Sequence, residues 1–188
     1  MNSDSAKTSL STTFGNALAL DANLYENARN TPKTHRLAQT MVILAAVSHA
    51  LGSAVILLIE LATLPNLVLA LLIDGVSVVG GYYFWTLTIW QIGQRLKPNT
   101  PSYKDLLSPI GFAYAPQVLN FLTLIPLLGR PIVLVLSVWS LLVVIVAVRQ
   151  GLDVSTRTAV FICLVGWPLI QVAIGFVQSL EQSLVGRF

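Results

Sequence analysis

The sequence predicts an all-α polytopic membrane protein, with five transmembrane helices and an interfacial amphipathic N-terminal helix. Three observations carry that expectation. The chain has 188 residues, 55% hydrophobic and 10% charged, with a mean hydropathy of +0.75. A soluble domain carries about 25% charged residues, so a bilayer has to solvate the apolar surplus. The apolar residues fall into runs at about 37–61, 67–92, 106–128, 132–148 and 158–180, and a helix needs about 20 such residues to cross the hydrocarbon. Finally, of 11 Lys and Arg residues, only Arg130 and Arg187 fall outside three alternate segments. Those segments hold Lys7, Arg29, Lys33 and Arg36, then Arg95, Lys97 and Lys104, then Arg149 and Arg157. Cations near span ends resist translocation. The expected topology has a cytoplasmic N-terminus and a C-terminus on the opposite side, with Arg95, Lys97, Arg149 and Arg157 as cytoplasmic anchors.

Residues 1–13 are rich in Ser and Thr and read as a disordered tail. Residues 14–30 place Ala17, Asp21 and Tyr25, and Leu20, Leu24 and Ala28, at helical spacing. That pattern predicts an amphipathic helix in the membrane interface or docked on the ends of the spans. Residues 31–188 form the transmembrane domain. Thr31-Pro32 supplies a helix start. In span 1, Ala46, Ala50 and Ala54 recur every fourth residue and make a close-packing face. The start of the chain lacks a short apolar stretch with a small-residue cleavage site, so span 1 is expected to act as an uncleaved anchor.

Span 2 ends in an aromatic cluster, Tyr82 to Trp85, with Trp90 in an interfacial belt and the others packed between helices. Span 3 is interrupted by Pro109, Gly111, Pro116 and Pro126. Backbone groups freed by such breaks need partners inside the protein, which predicts a buried span. Span 4 is nearly pure Val, Leu and Ile and is expected to face lipid. Span 5 holds Trp167-Pro168, a kink site, and its tail carries Gln171, Gln178 and Glu181.

Two polar groupings stand out inside these runs. His49 in span 1 lies roughly 16 Å below the outer turn and Asp74 in span 2 roughly 12 Å, at about 1.5 Å per residue. At similar depth they can pair. Intramembrane ionisable residues are costly unless satisfied, and therefore make functional candidates. The pair reads as a proton or cation site, as an imidazole ligand for a metal or pigment, or as a structural lock between helices. One histidine makes no metal site, so no cofactor is expected and the lock is preferred. In span 3, Gln117 and Asn120 read as interhelical glue or as the lining of a polar cavity.

Enzyme templates fail. There is no HExxH, GxSxG, Walker loop or GxGxxG, and a Ser-His-Asp site would require Ser48 or Ser77 against His49. The cations form no stripe that would suit nucleic acid. Cys163 is the lone cysteine, which excludes an intramolecular disulfide.

The order of motifs resembles a known family. Gly111-Phe112-Ala113-Tyr114-Ala115-Pro116 is followed by Ile125-Pro126-Leu127-Leu128-Gly129, then Trp139, then Ala147-Val148-Arg149-Gln150-Gly151-Leu152-Asp153, then Thr156-Arg157-Thr158-Ala159. This order is similar to the Yip family, five-span membrane proteins named for interaction with Ypt/Rab GTPases. Leu20 to Glu26 looks like the segment before span 1 in bacterial members. The resemblance implies a five-helix fold with a cytoplasmic N-terminus, no catalytic residues, and a bacterial inner or internal membrane as host. GTPase binding does not carry over to this short tail. The partners expected are the lipid bilayer and other integral membrane proteins or a second copy, with the chain acting as scaffold or accessory subunit. The alternative is a small transporter or channel using His49 and Asp74. Among the motif residues, Gly111 and Ala115 offer a close helix approach, Pro116 and Pro126 bend the chain, and Asp153 is placed to pair with Arg149 or Arg157.

Overall fold

The computed structural model describes residues 9–29, 31–59, 63–97, 99, 101–125 and 128–185. The elements are α1 (Leu10–Leu18), α2 (Ala22–Glu26), α3 (Pro32–Ile59), α4 (Leu64–Leu96), α5 (Tyr103–Phe112), α6 (Gly129–Leu152) and α7 (Thr156–Val185). A 3-10 turn (Asn27–Arg29) precedes α3, and a 3-10 helix (Ala115–Leu124) follows α5. No strand occurs among the described residues.

The long helices suit a membrane by length and composition. α3, α4 and α6 run 28, 33 and 24 residues, and each holds an apolar stretch long enough to cross. At 1.5 Å per residue they measure about 42, 50 and 36 Å, more than the hydrocarbon thickness of about 30 Å. α7 is apolar over its Thr156–Leu169 portion and runs unbroken through Pro168. Its Gln171, Gln178 and Glu181 side chains lie outside the described residues.

Span 3 is a two-piece element. α5 ends at Phe112, and after the turn at Ala113 and Tyr114 the 3-10 helix continues for 10 residues. Such runs rarely exceed about 4 residues. Pro116 sits in its first turn, where the missing N–H costs little. The first part of this composite element is the core of the molecule, while Phe121 in the second part and Ile125 at its end are exposed. Residues from Leu106 to Pro116 are all buried, enclosed by α3, α4, α6 and the N-terminal segment. α7 packs between α4 and α6. The first half of α6 is largely exposed apart from the buried Leu136, with Val133, Leu134, Val135, Val138, Leu141 and Leu142 facing out, while Val143, Ala147, Val148 and Leu152 near its basic end are buried. Among the aromatics of α4, Tyr82 and Trp85 pack inward, but Tyr83 and Phe84 face out. The inward face of this half of α4 is Tyr82, Trp85, Thr86, Thr88, Ile89 and Gly93, a helical stripe that leaves Tyr83, Phe84 and Leu87 on the opposite side.

The N-terminal segment differs most from expectation. Helix begins at Leu10, inside the stretch read as a disordered tail. Ser9 is its N-cap, accepting from the Thr12 amide at 3.3 Å, and the buried Thr13 hydroxyl donates to the Ser9 carbonyl at 3.0 Å. The serines and threonines are thus capping groups, a role that composition does not reveal. Nor is 14–30 one helix. Leu20 takes φ 59°, and Asp21 restarts the chain as N-cap of α2, accepting from the Asn23 amide at 3.0 Å. A left-handed leucine costs about 1–2 kcal/mol, offset here by packing of its side chain on the core.

This broken segment docks on the bundle. α1 packs against α3 and the 3-10 helix, and α2 against α5 and α6. Ala17, Tyr25 and Ala28 are buried. The Tyr25 hydroxyl donates to the Ala17 carbonyl at 3.0 Å, and the Trp139 indole, midway along α6, donates to the Leu18 carbonyl at 3.0 Å. Of the two placements expected, membrane interface or docking on the spans, the buried apolar residues take the docked one.

Candidate functional site

α3 and α4 pack as an antiparallel pair, and their polar residues meet about a third of the way along from the Ile59 and Leu64 ends. His49 Nδ1 lies 2.9 Å from Asp74 Oδ2, and the Ser53 hydroxyl donates to the same oxygen at 2.6 Å. Ser53 is one turn beyond His49 on α3, so both project toward the carboxylate. Sequence reasoning missed Ser53, although the i, i+4 spacing from His49 carried the signal. The Asp74 side chain is 16% exposed and the imidazole 48%.

The order of bonds constrains the chemistry. Nucleophilic activation places a histidine between serine and carboxylate. Here the carboxylate is central and accepts from both neighbours. Ser77 donates to the Ile73 carbonyl at 2.6 Å within its own helix, and Ser48 accepts from the Phe121 amide at 2.9 Å. Neither serine is held against His49 in these bonds. Among the described residues, no three His, Cys, Asp or Glu residues cluster as metal ligands. The arrangement can hold a proton, and it can join two helices.

The broken span makes its own cross-links. The bond from Phe121 to Ser48 ties the 3-10 helix to α3. Gln117 and Asn120 are half-buried beside it, and the Thr123 hydroxyl donates to the Asn120 carbonyl at 2.7 Å. The Tyr82 hydroxyl donates to the Leu107 carbonyl at 2.7 Å, joining α4 to α5. At Gly111 an added Cβ would stand 2.9 Å from the Ala38 Cβ and 3.2 Å from its carbonyl oxygen. α3 and α5 touch there backbone to backbone. Ala115 and Pro116 are buried; Pro126 lies outside the described residues.

At the basic end, Arg95, Arg149 and Arg157 are exposed. Asp153 pairs with neither Arg149 nor Arg157. Lys97 takes it, donating to its backbone carbonyl and, at 3.3 Å, to its carboxylate. The reason is the close approach of α4 and α6: a Cβ on Gly93 would stand 2.7 Å from Leu152. That contact puts Lys97, which caps α4, beside the left-handed Asp153, which caps α6. Asp105 accepts from the Ser102 amide and hydroxyl at 3.0 and 2.7 Å.

A helical bundle with such long apolar rods, and with polar side chains bonded between its own helices, is an integral, multi-pass membrane protein. The model of the Yip1 domain matches residues 24–177, and the chain belongs to that family. The match runs from α2 into α7, leaving α1 outside it. No curated protein and no solved structure matches the chain.

Proposed function

We propose that this protein is a non-enzymatic scaffold or accessory subunit, which crosses the membrane five times and packs against other integral membrane proteins or a second copy. Its N-terminus is cytoplasmic and its C-terminus lies on the other side. One observation carries this reading: polar side chains within the spans cross-link the protein's own elements, at His49–Asp74–Ser53, Ser48–Phe121 and Tyr82–Leu107. Most of what the long helices present outward is apolar, as along the first half of α6. Such faces suit neighbours that recognise shape and hydrophobicity, with no bound cofactor required.

The test is the state of the protein after gentle solubilisation. Cross-linking in the native membrane, followed by size analysis in nanodiscs, should give a complex with defined stoichiometry. A strictly monomeric protein under both conditions sinks the proposal. Recording absorbance during purification also tests for a pigment on His49.

The exposure of His49 favours a second reading, a small transporter or channel in which the pair carries a proton or cation. In that case His49→Gln and Asp74→Asn abolish flux in proteoliposomes while the fold survives. Equal flux in parent and variants removes this reading.

A further inference from the structure

Toward their basic ends α3 and α4 leave a groove of about 220 Å³ between them, lined by Gln39, Val42, Ile43, Val79, Tyr82 and Tyr83. We propose that this groove binds one acyl chain of a phospholipid whose anionic headgroup is held at Arg36.

The lining selects the chain. Val42, Ile43 and Val79 are aliphatic, and Tyr82 offers only its ring, because its hydroxyl is bonded to the Leu107 carbonyl. Ile43 is 56% and Tyr83 39% exposed, so the groove opens sideways, where lipid surrounds the helices. About 220 Å³ holds a stretch of acyl chain, since an apolar cavity of about 150 Å³ already suits a benzene-sized guest. One end is closed. The His49–Asp74–Ser53 cluster joins the two helices roughly 9 Å beyond Ile43, at about 1.5 Å per residue.

The other end selects the headgroup. Gln39 is the polar member of the α3 lining. Arg36 precedes Ile43 by two helical turns and shares its face of α3. Its guanidinium is exposed, and no ion pair involves it among the described residues. A phosphate there meets a planar, bidentate donor, while the acyl chain runs down past Ile43 and Val79.

Native mass spectrometry of the full chain, released from nanodiscs of equal parts phosphatidylcholine and phosphatidylglycerol, tests this. The parent should retain one phospholipid. Ile43→Trp fills the mouth and should lower retention about tenfold, the effect of excluding roughly two methylenes. Arg36→Gln should lower the preference for phosphatidylglycerol about fivefold, the worth of one cation beside an anionic lipid. Leu134→Trp, on the bare flank of α6, should behave as the parent. If Ile43→Trp does not fold, Ile43→Cys in a Cys163→Ala background, alkylated after purification with a bulky maleimide, gives the same reading in protein already folded. A folded, blocked protein that retains as much lipid as the parent overturns the groove. So does equal loss in Leu134→Trp, which marks unspecific annular lipid, or a parent dimer that Ile43→Trp makes monomeric, which marks a second copy. An unchanged preference in Arg36→Gln overturns the headgroup assignment.

Discussion

Asp74 accepts two hydrogen bonds at a single oxygen, and this concentration sets how substitutions there should behave. Interhelical hydrogen bonds in membranes average about 0.6 kcal/mol and reach about 1.7. Asp74→Ala removes both at once and should destabilise the protein by about 1–2 kcal/mol, with Ser53→Ala below about 1. Thermal unfolding in nanodiscs measures this, and an Asp74→Ala protein as stable as the parent removes the lock. Gly111→Val drives side-chain carbons into Ala38 and its carbonyl; overpacking costs about 1–3 kcal/mol, and Ala38→Gly should restore part of the loss. Tyr25 behaves differently. Burial, and secondarily the Asp21 carboxylate, push its phenol above the ordinary value of 10.0. The native state therefore holds that proton more tightly than the unfolded chain. Its contribution to stability is complete below the ordinary value and declines as pH climbs past it. Tyr25→Phe should cost about 1 kcal/mol near neutrality and flatten the alkaline side of the stability profile.

At the scale of elements, the broken third span shows what was readable. Its prolines and glycines announced an interrupted, buried segment, because a chain that loses helical hydrogen bonds inside oil needs protein around it; burial holds over residues 106–116, while Phe121 and Ile125 further on are exposed. The 3-10 continuation, and Ser48 as acceptor for Phe121, were not readable. Both depend on α3 lying alongside, and a serine in an apolar run carries no mark of its partner. Ser48→Ala leaves the part-buried Phe121 amide without this acceptor, and interhelical hydrogen bonds in membranes average about 0.6 kcal/mol and reach about 1.7. Hydrogen exchange at Phe121 should accelerate while exchange within α6 stays unchanged. Equal protection in the variant shows that the bond contributes nothing. The N-terminal segment was legible as apolar and periodic, but its break was not: Asp21 competes as a cap with the helix that the periodicity alone favours. Because α1 and α2 cover α5, α6 and the 3-10 helix, deleting residues 9–29 should destabilise the isolated protein, even where no partner is present.

Over the whole molecule, the division of cations predicts that tags at the two ends of the chain differ in accessibility. In sealed vesicles of known orientation, a protease added outside should remove one tag and spare the other. Loss of both from the same side defeats the five-span arrangement. The exposed pair of Lys97 with Asp153 should matter little to stability, since exposed pairs contribute about 0–1 kcal/mol.

The sequence by itself determined the class of solvent, the helical class of the fold, the interruption of span 3 and the depth match of His49 with Asp74. These follow from one-dimensional quantities: apolar run length, helical rise, and the positions of Gly, Pro and charge. Tertiary structure decided that Ser53 joins the pair, that Lys97 takes Asp153 from the arginines, that the N-terminal segment folds onto the bundle, and that α3 and α4 leave a groove. Each is a matter of which surfaces meet at ångström range, and that is fixed by packing contacts such as Gly111 on Ala38 and Gly93 on Leu152, which link residues far apart in the chain.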